Sequence, residues 1–350
     1  MLAVVFFHSG ATWFQGGFLG VDVFFVLSGF LITSQLMAEQ RQYGTIALKR
    51  FFLRRVVRLQ PALLVLFAGY LIAWTIGCIP ATGSTVAKEI FVATFGIANW
   101  ARAYEIWMPD YLGHTWSLAI EEQFYLIWAI FLAKWWGSDR EVTQATFVIA
   151  VALSVVSIAA MYIVFVSGST ASRAYNGLDS RAFALLLGAA LAAHCTGRMH
   201  PSDRLLLANN VNQTNRSFKW VLVAAFSSIF ALFYFARWTV PIMYPLGYFL
   251  ISVLTMVVIW GVVASKATNM TFLLENRLLV YVGQVSYGYY LWHYPVLRIA
   301  ADKAADLDIS VVGSQIWGVV VSFLFAVVSY HFVEQPVSRA FKRSCLSQSI

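Results

Sequence analysis

"HTWSLAIEEQFYLIWAIFLAKWW", residues 114–136, sets a histidine and two adjacent glutamates at the head of an otherwise apolar helix. Crossing a bilayer takes about 20 apolar residues, and this segment supplies them. Charged groups are costly in hydrocarbon, and where they occur they face a protein interior or a water-filled cavity. The stretch therefore reads as one span of a bundle with a polar site near one face. The composition agrees. Of 350 residues, 60% are apolar in the broad count and only 11% are charged, with a mean hydropathy of +0.72. A soluble domain is about one quarter charged, so this composition excludes one. Long apolar runs without strict alternation argue for helices and against a transmembrane barrel. The formal charge of +8 is gathered in particular loops, which marks topology and gives no nucleic-acid footprint. Cys78, Cys195 and Cys345 are scattered, with neither a disulfide framework nor a metal-ligand spacing. The first residues lack the charged region and cleavage site of a signal peptide.

Apolar runs predict spans near 17–38, 61–79, 114–134, 144–166, 181–195, 220–236, 242–264, 281–300 and 311–333. Residues 1–8 are apolar but short, and 88–101 is short and opens on Lys88 and Glu89. If 88–101 does not span, the loops at 39–60, 134–143, 195–219 and 265–280 and the tail share one side and hold 17 of the 24 Lys and Arg residues. Cytoplasmic loops carry such an excess. The expected fold is an all-α polytopic membrane protein of about ten transmembrane helices, both termini cytoplasmic, with 80–113 a long extracytoplasmic loop. Residues 1–341 form a single membrane domain and 342–350 a short cytoplasmic tail. The first helix is expected to be cut short, because the seven residues before His8 rise only about 10 Å.

With that orientation, the ionisable residues inside the membrane fall in the outer half. His8 ends the first span, Asp22 lies about two turns into the second, and Arg181 opens a descending span. His114, Ser117, Glu121 and Glu122 share one helical stripe, and His293 lies toward the outside in "SYGYYLWHYPVL". Each has a plain structural alternative: a membrane histidine as an interhelical hydrogen-bond partner, glutamates favouring a helix N-terminus, Asp22 and Arg181 as an ion pair. A histidine with carboxylate neighbours is also the minimum equipment for general acid/base chemistry. On the other side, "LKRFFLRRVVRLQP" carries Arg54, Arg55 and Arg58 on one helical face. It reads as a topology determinant and anionic-lipid anchor, or as a phosphate site, since the arginine fork matches phosphate geometry.

The strings "GGFLGVDVFFVLSGFLIT", "FFLRRVVRLQP", "HTWSLAIEEQFYL", "LDSRAFALLLGAALA", "SYGYYLWHYPVL" and "YHFVEQPVSRAF" follow one another in an order that resembles the acyltransferase-3 family of membrane O-acyltransferases. The resemblance runs from His8 to about Phe341. It implies a roughly ten-helix enzyme of the cell inner membrane that takes an acyl group, acetyl above all, from cytoplasmic acyl-CoA. The group would pass to a hydroxyl of an extracytoplasmic glycan or lipid-linked sugar such as lipopolysaccharide, an exopolysaccharide or peptidoglycan. It implies that His8 is the first-helix catalytic histidine, as general base or as acyl carrier, and that Arg54, Arg55 and Arg58 handle the CoA phosphates. Glu121 and Glu122 fall in the family's acidic motif, and Arg181 matches an arginine ahead of a small-residue helix. On this reading His114, Glu121 and Glu122 line the extracytoplasmic side of an acyl-transfer cavity opposite His8 and Asp22, with His293 a second acid/base group. No metal is called for. Two departures stand out: an arginine expected before His8 would fall upstream of Met1, and no fused extracytoplasmic hydrolase-like domain is expected, so acceptor choice or a second transfer step would need this chain's loops or a separate extracytoplasmic acyltransferase partner. The alternatives in other classes are a proton-coupled transporter of an anionic solute and an inactive membrane scaffold.

Overall fold

The computed structural model describes residues 1–134, 139–197, 216–264, 274–304, 308 and 310–347. The basic positions Arg198, Arg204 and Lys266 and the last three residues of the tail lie outside the described residues. Regular structure among the described residues is helical. In chain order the helices are α1 (Leu2–His8), α2 (Gly20–Tyr43), α3 (Leu48–Thr75), α4 (Gly83–Thr94), α5 (Ala98–Ala103), α6 (Trp116–Lys134) and α7 (Asp139–Val166). They continue with α8 (Ala171–Asn176), α9 (Leu178–Gly197), α10 (Arg216–Phe235), α11 (Leu246–Ala264), α12 (Arg277–Ala304), α13 (Val311–Ser329) and α14 (Gln335–Ser347). Six described helices are long and apolar enough to cross a membrane by length and composition, which makes the chain an all-α polytopic membrane protein.

Two local outcomes refine the expectations. The second expected span does not start at Pro61: α3 runs from Leu48 through Pro61 to Thr75, 28 residues in all. Proline removes one amide donor from the ladder, yet the surrounding apolar face keeps the helix continuous. The basic segment is therefore rigidly joined to the span above it. The doubtful 88–101 segment becomes α4 and α5. At twelve residues α4 is about 18 Å long, too short to span, and the chain breaks at Gly96, whose φ of 60° is costly for other residues.

Two apolar cores flank a seam. The first joins α2, α6, α9 and α11 through Phe25, Ile120, Phe183 and Tyr248. The second joins α3 and α12 to the 79–112 segment through Leu66, Trp292, Ile79 and Leu112. Short α1 sends Val4 into the first core and Val5 into the second, and α12 does the same with Tyr290 and Tyr289. His8 and His293 thus sit where the cores meet.

Helices α2 and α9 touch backbone to backbone. A Cβ on Gly29 would overlap the Leu185 carbonyl oxygen, and one on Gly188 would overlap the Val26 carbonyl oxygen. Small residues permit this approach, and close packing drives helix association in lipid. Gly188→Leu is expected to prevent recovery of a monodisperse, cooperatively melting protein in detergent. Gly283→Ala, where a Cβ meets nothing within 4 Å, should leave the melting temperature unchanged or slightly raised.

Candidate functional site

Three histidines from distant parts of the chain converge. His8 closes α1, His114 lies in the 3-10 turn Gly113–Thr115 that leads into α6, and His293 lies within α12. The His8 and His293 rings are 5.1 Å apart between centroids and those of His114 and His293 5.6 Å. Tyr294 stacks on His114 at 5.2 Å and meets His8 edge-on at 5.0 Å. The sequence of α12 supports this locally. Pro295 has no amide hydrogen, so the Leu291 carbonyl lacks its α-helical donor. The His114 ring faces that carbonyl, at a geometry short of a good hydrogen bond.

A buried carboxylate shapes the loop that carries His114. Glu89, on α4, is fully buried. It accepts from the amides of Asp110, Tyr111 and Leu112 at 2.6, 3.2 and 3.1 Å and from the Tyr70 hydroxyl at 2.7 Å. Burial pushes its carboxyl above the ordinary glutamate value, against those four hydrogen bonds. The Glu89 cradle fixes residues 110–112, and His114 follows after Gly113.

With both imidazoles neutral, the contacts assign the ring tautomers. Nδ1 of His293 lies 2.6 Å from the Tyr290 carbonyl oxygen, and Nε2 lies 3.1 Å from Nδ1 of His8. A carbonyl only accepts, so Nδ1 of His293 carries the hydrogen and its Nε2 accepts. His8 must then donate from Nδ1, which leaves Nε2 with the free lone pair.

His8, His114, Arg102, Asn176, Tyr290 and Tyr294 are among the residues lining a cavity of about 340 Å³. A second cavity, about 230 Å³, is lined by Arg55, Arg58, Glu121, Tyr125, Ser28 and Tyr287 among others. Both share Val21 and Tyr290. The Tyr290 hydroxyl donates to the His114 carbonyl at 2.9 Å, and the Ser117 hydroxyl meets it at 2.5 Å. This contact partitions the histidine cavity from the basic one.

The structure distributes the expected site residues over five places. His8 and His114 line the histidine cavity, and His293 abuts them. Glu121 lines the basic cavity instead, where its Oε2 accepts from the Tyr125 hydroxyl at 2.8 Å. Tyr125 also pairs with Ser28. Glu122 lines neither cavity and faces the Gly96 corner, where a Cβ would lie 2.8 Å from its Oε2. Both glutamates are expected from the sequence to line one cavity with His114, opposite His8 and Asp22, whereas neither lines the histidine cavity. The physical reason is length: seven residues of helix separate His114 from Glu121 by about 10 Å. Of the three arginines, Arg55 and Arg58 line the basic cavity. Arg55 donates to Gln35 at 2.9 Å and lies over the Tyr125 ring at 5.3 Å. Arg54 turns away to pair with Glu39 at 2.9 Å. No carboxylate lies within 4.0 Å of Arg58 among the described residues.

Asp22 and Arg181 form an ion pair at 2.9 Å, both wholly buried. They line neither cavity, which departs from the expectation that Asp22 faces the site. The guanidinium is boxed by Tyr248 at 4.3 Å, Tyr175 at 4.9 Å, Phe25 at 5.8 Å and Trp116 at 5.9 Å. Trp116 and Tyr175 line the histidine cavity on their other sides, so the pair lies one layer behind it. Arg102 is a cavity residue that the sequence reading missed. Its signal was a lone arginine in a segment, 80–113, whose only other basic residue is Lys88.

A family model described as an acyltransferase domain matches residues 1–331. The chain is 31% identical to a peptidoglycan O-acetyltransferase of Listeria monocytogenes, over 97% of this chain and 54% of that protein. It is 33% identical to a Bacillus subtilis protein whose name ascribes the same activity provisionally, over 96% and 53%. A Staphylococcus aureus protein provisionally named an O-acetyltransferase is 32% identical, over 96% and 55%. The chain spans about half the length of the curated relatives it matches. No solved structure matches it.

Proposed function

We propose that this chain, which belongs to the acyltransferase-3 family, moves an acetyl group from acyl-CoA at the basic cavity to a sugar hydroxyl in the histidine cavity. The observation that carries this reading is the pair of cavities meeting at Tyr290, one with Arg58, which has no carboxylate partner among the described residues, and the other lined by His8 and His114 with His293 against them. The basic face is cytoplasmic by the distribution of Lys and Arg, and the 80–113 face is extracytoplasmic. The cytoplasmic membrane of a cell with an outer glycan envelope fits that arrangement. The acceptor is a glycan of that envelope, as the peptidoglycan in the name of the Listeria relative suggests.

In this scheme Nε2 of His8 takes the proton of the acceptor hydroxyl as its oxygen attacks the thioester carbonyl. The new C–O bond forms, the C–S bond breaks, and the CoA sulfur leaves with the proton from His8. His293 holds His8 in the tautomer that can act as the base, and the Tyr290–Ser117 contact parts to let the acyl group reach the histidines. Arg58 and Arg55 take CoA phosphates as charge-assisted hydrogen-bond donors.

The test uses proteoliposomes with labelled acetyl-CoA supplied at the basic face and glycan at the other. Acetylated glycan should form with stoichiometric release of CoA thiol. Arg58→Gln should raise KM for acetyl-CoA about tenfold or more with a smaller effect on kcat. Passage of label across the bilayer with no thiol release would replace this reading with a carrier.

A further inference from the structure

Among the described residues, the histidine cavity is lined by one fixed charge. No Asp or Glu is among its lining residues, and Arg102 is the only Lys or Arg among them. Other arginines nearby are neutralised: Arg173 by Asp179 at 2.6 Å, Arg181 by Asp22 at 2.9 Å and Arg298 by Asp110 at 3.0 Å. Arg102 has no carboxylate within 4.0 Å among the described residues.

Its position is built. Arg102 sits in α5, and its Nε donates to Oδ1 of Asn176 at the end of α8, 3.2 Å away. Asn176 is buried and held in turn by the Ser172 carbonyl at 2.8 Å and by Asn99, whose amide donates to its carbonyl at 3.3 Å. Ser172 donates to the Arg102 carbonyl at 2.9 Å. Gln123 of α6 closes the network by donating to Asn99 at 2.9 Å. On the other side, a Cβ on Gly113 would sit 3.0 Å from Nη1 of Arg102, so the guanidinium lies beside the turn that carries His114. One edge of the fork is fixed by Asn176, and the Nη groups have no hydrogen bond from the described residues.

A guanidinium partly removed from water and held without a counter-ion is an incomplete ion pair, which a bound anion completes. The single charge suits a monoanion, and the fork suits a carboxylate. Trp116, Tyr175, Tyr244 and Trp238 add flat apolar walls to the same cavity, which fit the C–H faces of a sugar ring. We propose that Arg102 selects acceptors bearing a carboxylate, so that the substrate class is an acidic glycan. The inference rests on the acyl-transfer reading for what the cavity is for, and on the cavity alone for the charge it prefers.

The experiment compares a hexuronic acid glycoside with the matching neutral hexoside. Binding is measured calorimetrically on the full chain in nanodiscs, and acetyl transfer in proteoliposomes. The acidic sugar should bind and be used about tenfold or more better, the scale of one hydrogen bond to a charged group, and the gain should appear in KM. Arg102→Gln should bring the two sugars close to parity, while Arg102→Lys, which keeps the charge without the fork, should keep part of the preference. Equal binding by the unaltered chain, or a preference that survives in Arg102→Gln, overturns the proposal. An equal loss of kcat with both sugars also overturns it, because Arg102 would then serve the reacting carbonyl. The outcomes also separate the two readings. Arg102-dependent binding without CoA turnover keeps the anion site and removes acyl transfer, whereas turnover indifferent to the carboxylate does the reverse.

Discussion

His8→Ala is expected to lower acetyl transfer by about 10²- to 10⁴-fold, the usual worth of a positioned general base, with little change in melting temperature. The residue closes a seven-residue helix, and its ring contacts the His293 ring and the Val4 backbone. The tautomer chain makes a finer demand. His293→Ala removes the acceptor that keeps hydrogen on Nδ1 of His8, so the free ring would populate both tautomers and lose part of its basic lone pair at Nε2. His293→Gln restores an acceptor oxygen and should recover part of the rate. The expected order of transfer rates is unaltered chain, His293→Gln, His293→Ala, His8→Ala. Nitrogen chemical shifts of labelled histidine provide the check that rates alone cannot: His8 should report hydrogen at Nδ1 in the unaltered chain and a mixture in His293→Ala. An unshifted His8 spectrum in His293→Ala, or full activity in His8→Ala, would remove the histidine pair from the mechanism.

How far the sequence foretold this site depends on which physical quantity each step needed. Hydropathy is a one-dimensional property, so the all-α polytopic class, the long apolar helices and the short 88–101 segment could be read along the chain. Depth was partly readable as well. His8, His114 and His293 were placed near one level from their positions in their spans, and their rings meet there. Rotation about each helix axis and lateral neighbours were not readable, because they depend on packing between segments up to 285 residues apart. That is why the chain pattern alone groups Glu121, Glu122 and Asp22 with the histidines. A stripe drawn along α6 gives a shared face, but a cavity wall is shorter than a stripe, and the Tyr290–Ser117 contact divides it. Arg102 escaped notice for a related reason. Its importance comes from its unpaired state inside a hydrogen-bonded corner of α5 and α8, and no periodicity encodes that.

The buried pair of Asp22 and Arg181 gives the other large expected effect. Asp22→Ala should cost about 3–5 kcal/mol of stability, because it strands an unpaired guanidinium in a fully buried site. The aromatic box does not replace the carboxylate, since cation–π attraction reaches about 2 kcal/mol when desolvated. Arg181→Met alone should be similarly damaging, as it strands the carboxylate. Replacing both, Asp22→Leu with Arg181→Met, removes the charges together and fills similar volume, a change that is often neutral or stabilising for buried pairs. The pair bridges α2 and α9 within the first core, where Gly29 and Gly188 bring the two backbones together, so its loss in halves should loosen the wall formed by Trp116 and Tyr175. If the pair supports the site from behind, the double variant regains both its melting temperature and most of its acetyl transfer. If either residue takes part in the chemistry, the double variant regains stability and stays inactive. Thermal melting and CoA-thiol release measured on the two single variants and the double variant decide between these roles. We expect recovery of both properties, because neither side chain reaches a cavity in which acyl donor or acceptor would lie.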